Sequence, residues 1–293
     1  MALKSYFLGC PFWTNDDWLG TLYSKGCRAA DQLAEYVQVF NTVEGNQTFY
    51  GLPRASTISR WQELWPEGFY GCFKFPRTIS HDLQLLDAGP ETLSFLKTIE
   101  PLHGRVGLLF LQMPPTFDAE GLGLLWQYLS ALPCDYHYAV EVRHPDFEAG
   151  SPADYELNQI LSGLHMNRTI FHTEELFKIE NGDRSIRDAQ AQKPNIRTWL
   201  KATDQRPMIR YCGHNEVEPN RRPIRKLARQ VAAWLSKGKT PFVFLHSPND
   251  VHCPALCRIF HRALAEELGA NGPDIGSLPA FLGEAEPYQP MLF

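Results

Sequence analysis

Absences narrow the class of this protein first. The seven cysteines form no CxxC pair and follow no regular spacing. That pattern excludes a disulfide framework and reads as reduced thiols in a cytoplasmic protein. No apolar run approaches membrane-spanning length. The first residues, MALKSYFLGCPFW, lack a long apolar region with a cleavage site, so no signal peptide is expected. Positive charge is not in excess: the net charge is −5, which argues against a whole-protein field for nucleic acid and leaves only a local basic site open. Tandem repeats are absent. No Gly-rich phosphate fingerprint follows the first strand-like run, and no other organic-cofactor motif occurs.

What remains is ordinary globular material. The 293 residues are 44% hydrophobic and 21% charged, enough for one large α/β domain or two small ones. Strand-like and helix-like runs alternate. Strands are read at residues 5–10, 42–46, 69–75, 106–113, 138–143, 168–172, 208–211 and 242–246. Helices are read near residues 29–39, 56–65, 89–99, 118–132, 153–164, 221–237 and 253–268, from apolar spacing and from signals such as Pro66 and Gly89-Pro90-Glu91. VGLLFLQM from Val106 is nearly continuous in apolar residues, as a parallel strand covered on both faces should be. The rhythm breaks between Glu174 and Pro207, a charged stretch read as a lid or an ornamented loop. About eight strand–helix units predict a single TIM-like β/α barrel over residues 1–268. Residues 269–293, rich in Gly and Pro, read as a flexible C-terminal tail.

The oddest stretch is NTVEGNQTFYGLP, Asn41 to Pro53. Glu44, Asn46, Thr48 and Tyr50 are spaced by two and would share one side of an extended segment. Glu44 and Asn46 are expected at the strand end, with Thr48 and Tyr50 in the loop beyond. In β/α barrels the active groups lie at the C-terminal ends of the strands. There this sequence places Lys74, Gln112, Glu141, Arg143, His144, His172, Arg210 and His246, with Asn249 and Asp250 just beyond. Glu44 and Glu141 come from non-adjacent strands and suit general acid–base work. Glu141 and Arg143 lie on one side of their strand and can simply pair, which makes a salt-bridged rim the plainer reading of any single residue. Lys74, Arg143 and Arg210 face one mouth and suit a phosphate or carboxylate. Trp13, Phe49 and Tyr50 could stack on a sugar or base, although loop aromatics more often cap a core. A divalent metal on Glu44, Glu141 and Asp250 is compatible with the residue types, but no ligand motif supports it.

The segments FNTVEGNQTFYGLP with Trp61 following, FYGCFKFPRTISHD, LLFLQMPPTF, AVEVRHPDF, MIRYCGH and FVFLHSPND resemble the YecE-like family, known as domain of unknown function 72. The resemblance spans residues 5 to about 265 and implies a TIM-like barrel. It carries the family's characteristic positions onto Glu44, Asn46, Thr48, Phe49, Tyr50, Pro53, Trp61, Lys74, His81, Gln112, Pro114, Pro115, Glu141, Arg143, His144, Arg210, Gly213, Asn249 and Asp250. Gly45 and Gln47 depart from the usual aliphatic residue and serine, Phe147 from the usual tryptophan, and HSPND from an FNND-type ending. The resemblance implies a fold and a site, but no reaction.

Three side signals remain. Cys253, Cys257 and His261 share a helix face, but Cys at this spacing reads as core packing rather than zinc ligation. Arg221, Arg222, Arg225, Lys226 and Arg229 make a basic helix, most simply a solvated face. The chain ends in QPMLF, and Gln289, Leu292 and Phe293 match the short bacterial sliding-clamp-binding pattern. The best expectation is an enzyme acting on a phosphorylated, sugar- or nucleotide-type substrate at the barrel mouth by carboxylate acid–base chemistry. Its catalytic set is Glu44, Asn46, Glu141 and His144. Its binding set is Thr48, Tyr50, Lys74, His81, Gln112, Arg143, Arg210, Asn249 and Asp250. The alternative is a non-catalytic binder of a small anion, or a DNA-associated factor tethered through its tail to the clamp. No membrane partner is expected, and nothing indicates an oligomeric state.

Overall fold

A computed structural model describes residues 6–180, 182–270 and 272–284. Eight parallel strands form one sheet in the order β1-β8-β7-β6-β5-β4-β3-β2, a nearly closed barrel. They are β1 (Phe7–Gly9), β2 (Thr42–Gly45), β3 (Tyr70–Lys74), β4 (Val106–Gln112), β5 (Tyr138–Glu141), β6 (Asn167–His172), β7 (Met208–Cys212) and β8 (Phe242–His246). Nine α-helices are described: α1 (Gln32–Val39), α2 (Gln47–Tyr50), α3 (Ala55–Leu64), α4 (Gly89–Ile99), α5 (Leu122–Ser130), α6 (Pro152–Gly163), α7 (Arg184–Gln192), α8 (Arg221–Leu235) and α9 (Cys253–Leu268). The single-barrel expectation holds. Among the described residues no helix is long and apolar enough to cross a membrane.

Local chemistry sets the helix ends. Ser151 accepts a hydrogen bond from Asp154 N, with Pro152 opening α6. Asp183 does the same for Ile186 N at α7. That helix lies inside the 174–207 stretch, where the sequence shows no clear period. Its net polarity hides it: only Ile186 and Ala189 are buried. Gly269, at φ 59°, ends α9 in the left-handed region that favours glycine.

The pleat decides what fills the barrel. Phe7, Cys72, Leu108, Phe110, Ala139, Met208, Phe242 and Phe244 form one buried interior cluster. Two residues further along the same strands, on the same side, come Lys74, Gln112, Glu141, Arg210 and His246. The apolar plug therefore carries a charged layer at the C-terminal end of the strands.

β1 and β2 do not form a ladder, and side chains complete the seam between them. Asn41 Oδ1 accepts from Leu8 N at 2.8 Å, and its Nδ2 donates to Tyr6 O at 2.9 Å. The Tyr36 hydroxyl accepts from Cys10 N at 2.7 Å and donates to Thr42 O at 2.9 Å. One main-chain bond, Glu44 N to Cys10 O, runs at 3.3 Å. Gly9 makes this possible, because a Cβ there would lie 2.1 Å from Thr42 O and 2.9 Å from the Tyr36 hydroxyl.

The stretch expected to trail from Gly269 is held against the barrel over residues 272–284. Ile275 and Phe281 are buried. Phe281 packs near Phe40, the Arg258 guanidinium lies 3.5 Å from its ring centre, and Arg258 pairs with Glu284 at 2.8 Å. Leu282 N donates to Leu22 O at 3.1 Å. Residues 289–293, with the QPMLF pattern, lie outside the described residues.

Candidate active site

β2 carries Glu44 to the mouth and stops at Gly45, where a Cβ would stand 2.7 Å from the Phe73 ring. The backbone then turns into α2, so Glu44, Asn46, Thr48 and Tyr50 do not share one side. Asn46 folds back: its amide donates to Glu44 Oε1 at 2.6 Å and to Pro11 O at 3.1 Å. The Thr48 hydroxyl lies 2.5 Å from Lys74 O and holds the end of β3. Tyr50 is 84% exposed and makes a T-shaped contact with the Phe49 ring.

Arg210, from β7, is the centre of the layer. Its Nε and Nη2 donate to the two oxygens of Glu44 at 2.8 and 2.6 Å, and Nη1 donates to Glu141 Oε2 at 2.5 Å. Its guanidinium lies 4.4 Å from the Phe171 ring centre. Arg143 Nε donates to the other Glu141 oxygen at 2.8 Å, and its Nη2 to Gln112 Oε1 at 2.6 Å. Lys74 Nζ reaches the same Gln112 oxygen at 2.6 Å and lies 3.7 Å from the centre of the Phe49 ring. His246 Nε2 is 3.3 Å from Glu44 Oε2. The 174–207 excursion touches the layer through the Gln192 carbonyl, which accepts from Arg143 Nη1 at 3.1 Å.

These contacts sort the charges. Glu44 is wholly inaccessible. Burial alone would raise its pKa, but Arg210 and then His246 outweigh it and hold the carboxyl well below the usual range. Glu141 feels the same opposition, and Arg210, Arg143 and Lys74 bring it down to about 2. Arg210 is driven higher still by the two carboxylates, against burial. Lys74 goes the other way: burial first, then Arg210, lower it to about 7. His81, with its ring against Phe49 at 5.1 Å, is lowered to about 4 by burial and then by Lys74. Two carboxylates thus balance two arginines, and a charge on Lys74 has no carboxylate left to pair with.

Some sequence-predicted residues are not brought into this layer. His144 turns to its own loop, accepting from Asp146 N at 3.2 Å. Asn249 is exposed and shapes a turn, its side chain accepting from Val251 N at 3.1 Å. Asp250, at φ 58°, accepts from Trp18 Nε1 through its carbonyl at 2.9 Å and from the Cys253 thiol at 3.3 Å. Burial raises its carboxyl. His172 lies on the outer side of β6, against Tyr211. A metal on Glu44 and Glu141 would have to displace Arg210 from both. Phe171 goes unread in the sequence, while His246 and Phe49 are named there without the partners they meet here, Glu44 and Lys74. His246 had a usable signal, two residues beyond the inward Phe244. Phe49 and Phe171 act through ring faces, which spacing does not reveal.

The fold and this layer define the class: a TIM-like β/α barrel with a buried carboxylate–arginine–lysine network at its C-terminal mouth. A family model described as "Protein of unknown function DUF72" matches residues 7–277, and the chain belongs to that family. It is 34% identical over 287 residues to UPF0759 protein YecE of Escherichia coli K12, covering 98% of this chain and 99% of that one. A DUF72 family protein from Thermotoga maritima superposes with a TM-score of 0.66 at 20% identity, over 88% of this chain and 98% of the other. One from Enterococcus faecalis gives 0.65 at 17%, over 88% and 95%.

Proposed function

We propose that the chain is an enzyme that takes a small anionic substrate, phosphorylated or of sugar or nucleotide type, at the mouth of the barrel. Lys74 is the proton-transfer group in this reading, while Glu44 and Glu141 provide the charge framework. The observation that carries it is the contrast within one layer. Both carboxylates are committed to Arg210, whereas among the described residues Lys74 has no carboxylate within ion-pair distance, and burial with Arg210 beside it lowers its amine to about 7, within the range of a working acid or base. With Lys74 protonated the layer has one positive charge too many, and a bound anion supplies the balance. Asn46, Thr48 and Gln112 act by holding Glu44, the end of β3 and Lys74 in place. Thermal shifts with inorganic phosphate, ribose 5-phosphate and adenosine monophosphate test binding. Wild type should gain several degrees of Tm with at least one of these probes, and Lys74→Met should lose the gain. Equal responses from the two proteins, or none from either, would sink the reading.

A second reading rests on QPMLF alone. The tail would tether the barrel to a bacterial sliding clamp, Leu292 and Phe293 entering an apolar groove and Gln289 setting register. Removal of residues 289–293 should abolish capture by immobilised clamp; undiminished capture would discard it.

A further inference from the structure

We propose that Lys74 is a covalent nucleophile that forms a Schiff base, and that the substrate is a small aldehyde or keto acid carrying a phosphate or carboxylate. The inference rests on the anion-site reading above and specifies its chemistry. An ammonium has three donors and no acceptor. Lys74 is 7% exposed, and its amino group meets one acceptor, Gln112 Oε1 at 2.6 Å, and one ring face, Phe49. Among the described residues no carboxylate lies within ion-pair distance of it, and the two carboxylates nearby in the layer are bound to arginines. Arg143 Nη2 shares the same Gln112 oxygen, so a second cation stands against any charge on the amine. A neutral amine, with two N–H groups and a lone pair, fits this setting better than an ammonium. Desolvation beside another cationic group is how a lysine becomes a nucleophile near neutral pH.

The step balances without a co-reactant. The Lys74 nitrogen lone pair attacks the carbonyl carbon and a C–N bond forms, while the C=O π pair moves to oxygen. That oxygen takes one proton from the nitrogen. The C–O bond then breaks as the second nitrogen proton follows, giving water and a C=N bond. Arg143 and Arg210 each use three nitrogens on the partners already named, and a guanidinium has five N–H groups. The spare donors can hold the substrate's anionic group.

Borohydride trapping on the full chain tests this. Wild type is incubated at pH 7.5 with pyridoxal 5′-phosphate, and separately with glyoxylate, then reduced and mapped by peptide mass. A lysine at about 7 is largely free amine at that pH, whereas an ordinary one is about 0.1% free amine. The secondary amine should therefore form at Lys74 at least about tenfold faster than at the exposed Lys97 and Lys237. Tm is read in parallel without borohydride. Lys74→Arg should keep a Tm rise with pyridoxal 5′-phosphate and lose the adduct. A Tm rise in wild type with no preferential adduct at Lys74 overturns the Schiff base and leaves the anion site standing. Neither a rise nor an adduct overturns both.

Discussion

Arg210 joins residues from three strands and is the most consequential side chain in the molecule. Its three nitrogens satisfy three carboxylate oxygens on Glu44 and Glu141, all out of solvent. Such a network contributes little net stability when intact, because desolvation offsets the attraction, but removing one member leaves charge buried and alone. Arg210→Met should lower the unfolding free energy by about 3–5 kcal/mol in urea denaturation. A loss under about 1 kcal/mol would mean that the carboxylates find water instead. Lys74 offers a second prediction through pH. In the folded protein its amine loses the proton at about 7, while an unfolded lysine keeps it to about 10.4. Between those limits the unfolded chain binds more protons, so this group makes stability rise with pH. The stability of wild type relative to Lys74→Met should therefore increase from pH 7 to pH 10, by at most about 1.4 kcal/mol per pH unit. A flat difference would show that the amine titrates normally.

At the scale of elements, the β1–β2 seam and the α8–α9 pair show how differently polar contacts matter. In the seam the Tyr36 hydroxyl stands in for a ladder bond and serves Cys10 N and Thr42 O together. Tyr36→Phe leaves both unpaired and buried, and should cost about 1–3 kcal/mol by denaturant titration with the fold retained. On α8 two of the four arginines read as a basic face are paired with α9: Arg225 with Glu266 at 2.5 Å and Arg229 with Glu267 at 3.2 Å. These pairs are exposed, and double-mutant cycles should find no more than about 1 kcal/mol in each. They also neutralise two of the five basic side chains that would otherwise suit a phosphate backbone.

For the whole molecule, the described end of the chain closes what the sheet leaves open. Residues 272–284 cover the outer side of β1, with Ile275 beside Tyr6 and Leu8 and with Phe281 between Phe40 and Arg258. Phe281→Ala should therefore destabilise the entire barrel, by about 3–5 kcal/mol in a single cooperative transition. Loss of local protection alone, with unchanged global stability, would show that the segment is an appendage.

The sequence by itself determined the eight-fold alternation, the apolar interior and the charged strand ends. These depend on periods of two and of 3.6, and on residue type, all of which are local. It also marked Glu44, Lys74, Gln112, Glu141, Arg143 and Arg210 as members of one mouth. Only the tertiary structure decided what each of them meets. Arg210 meets Glu44 across 166 residues of chain, and no spacing rule reports that closure. The division of labour follows from burial and from who stands next to whom: two carboxylates held ionised, two arginines paired, one lysine left over. Tyr50 and His144 look equivalent to their neighbours in one dimension and leave the site in three, because β2 and β5 end one or two residues earlier than their patterns suggest.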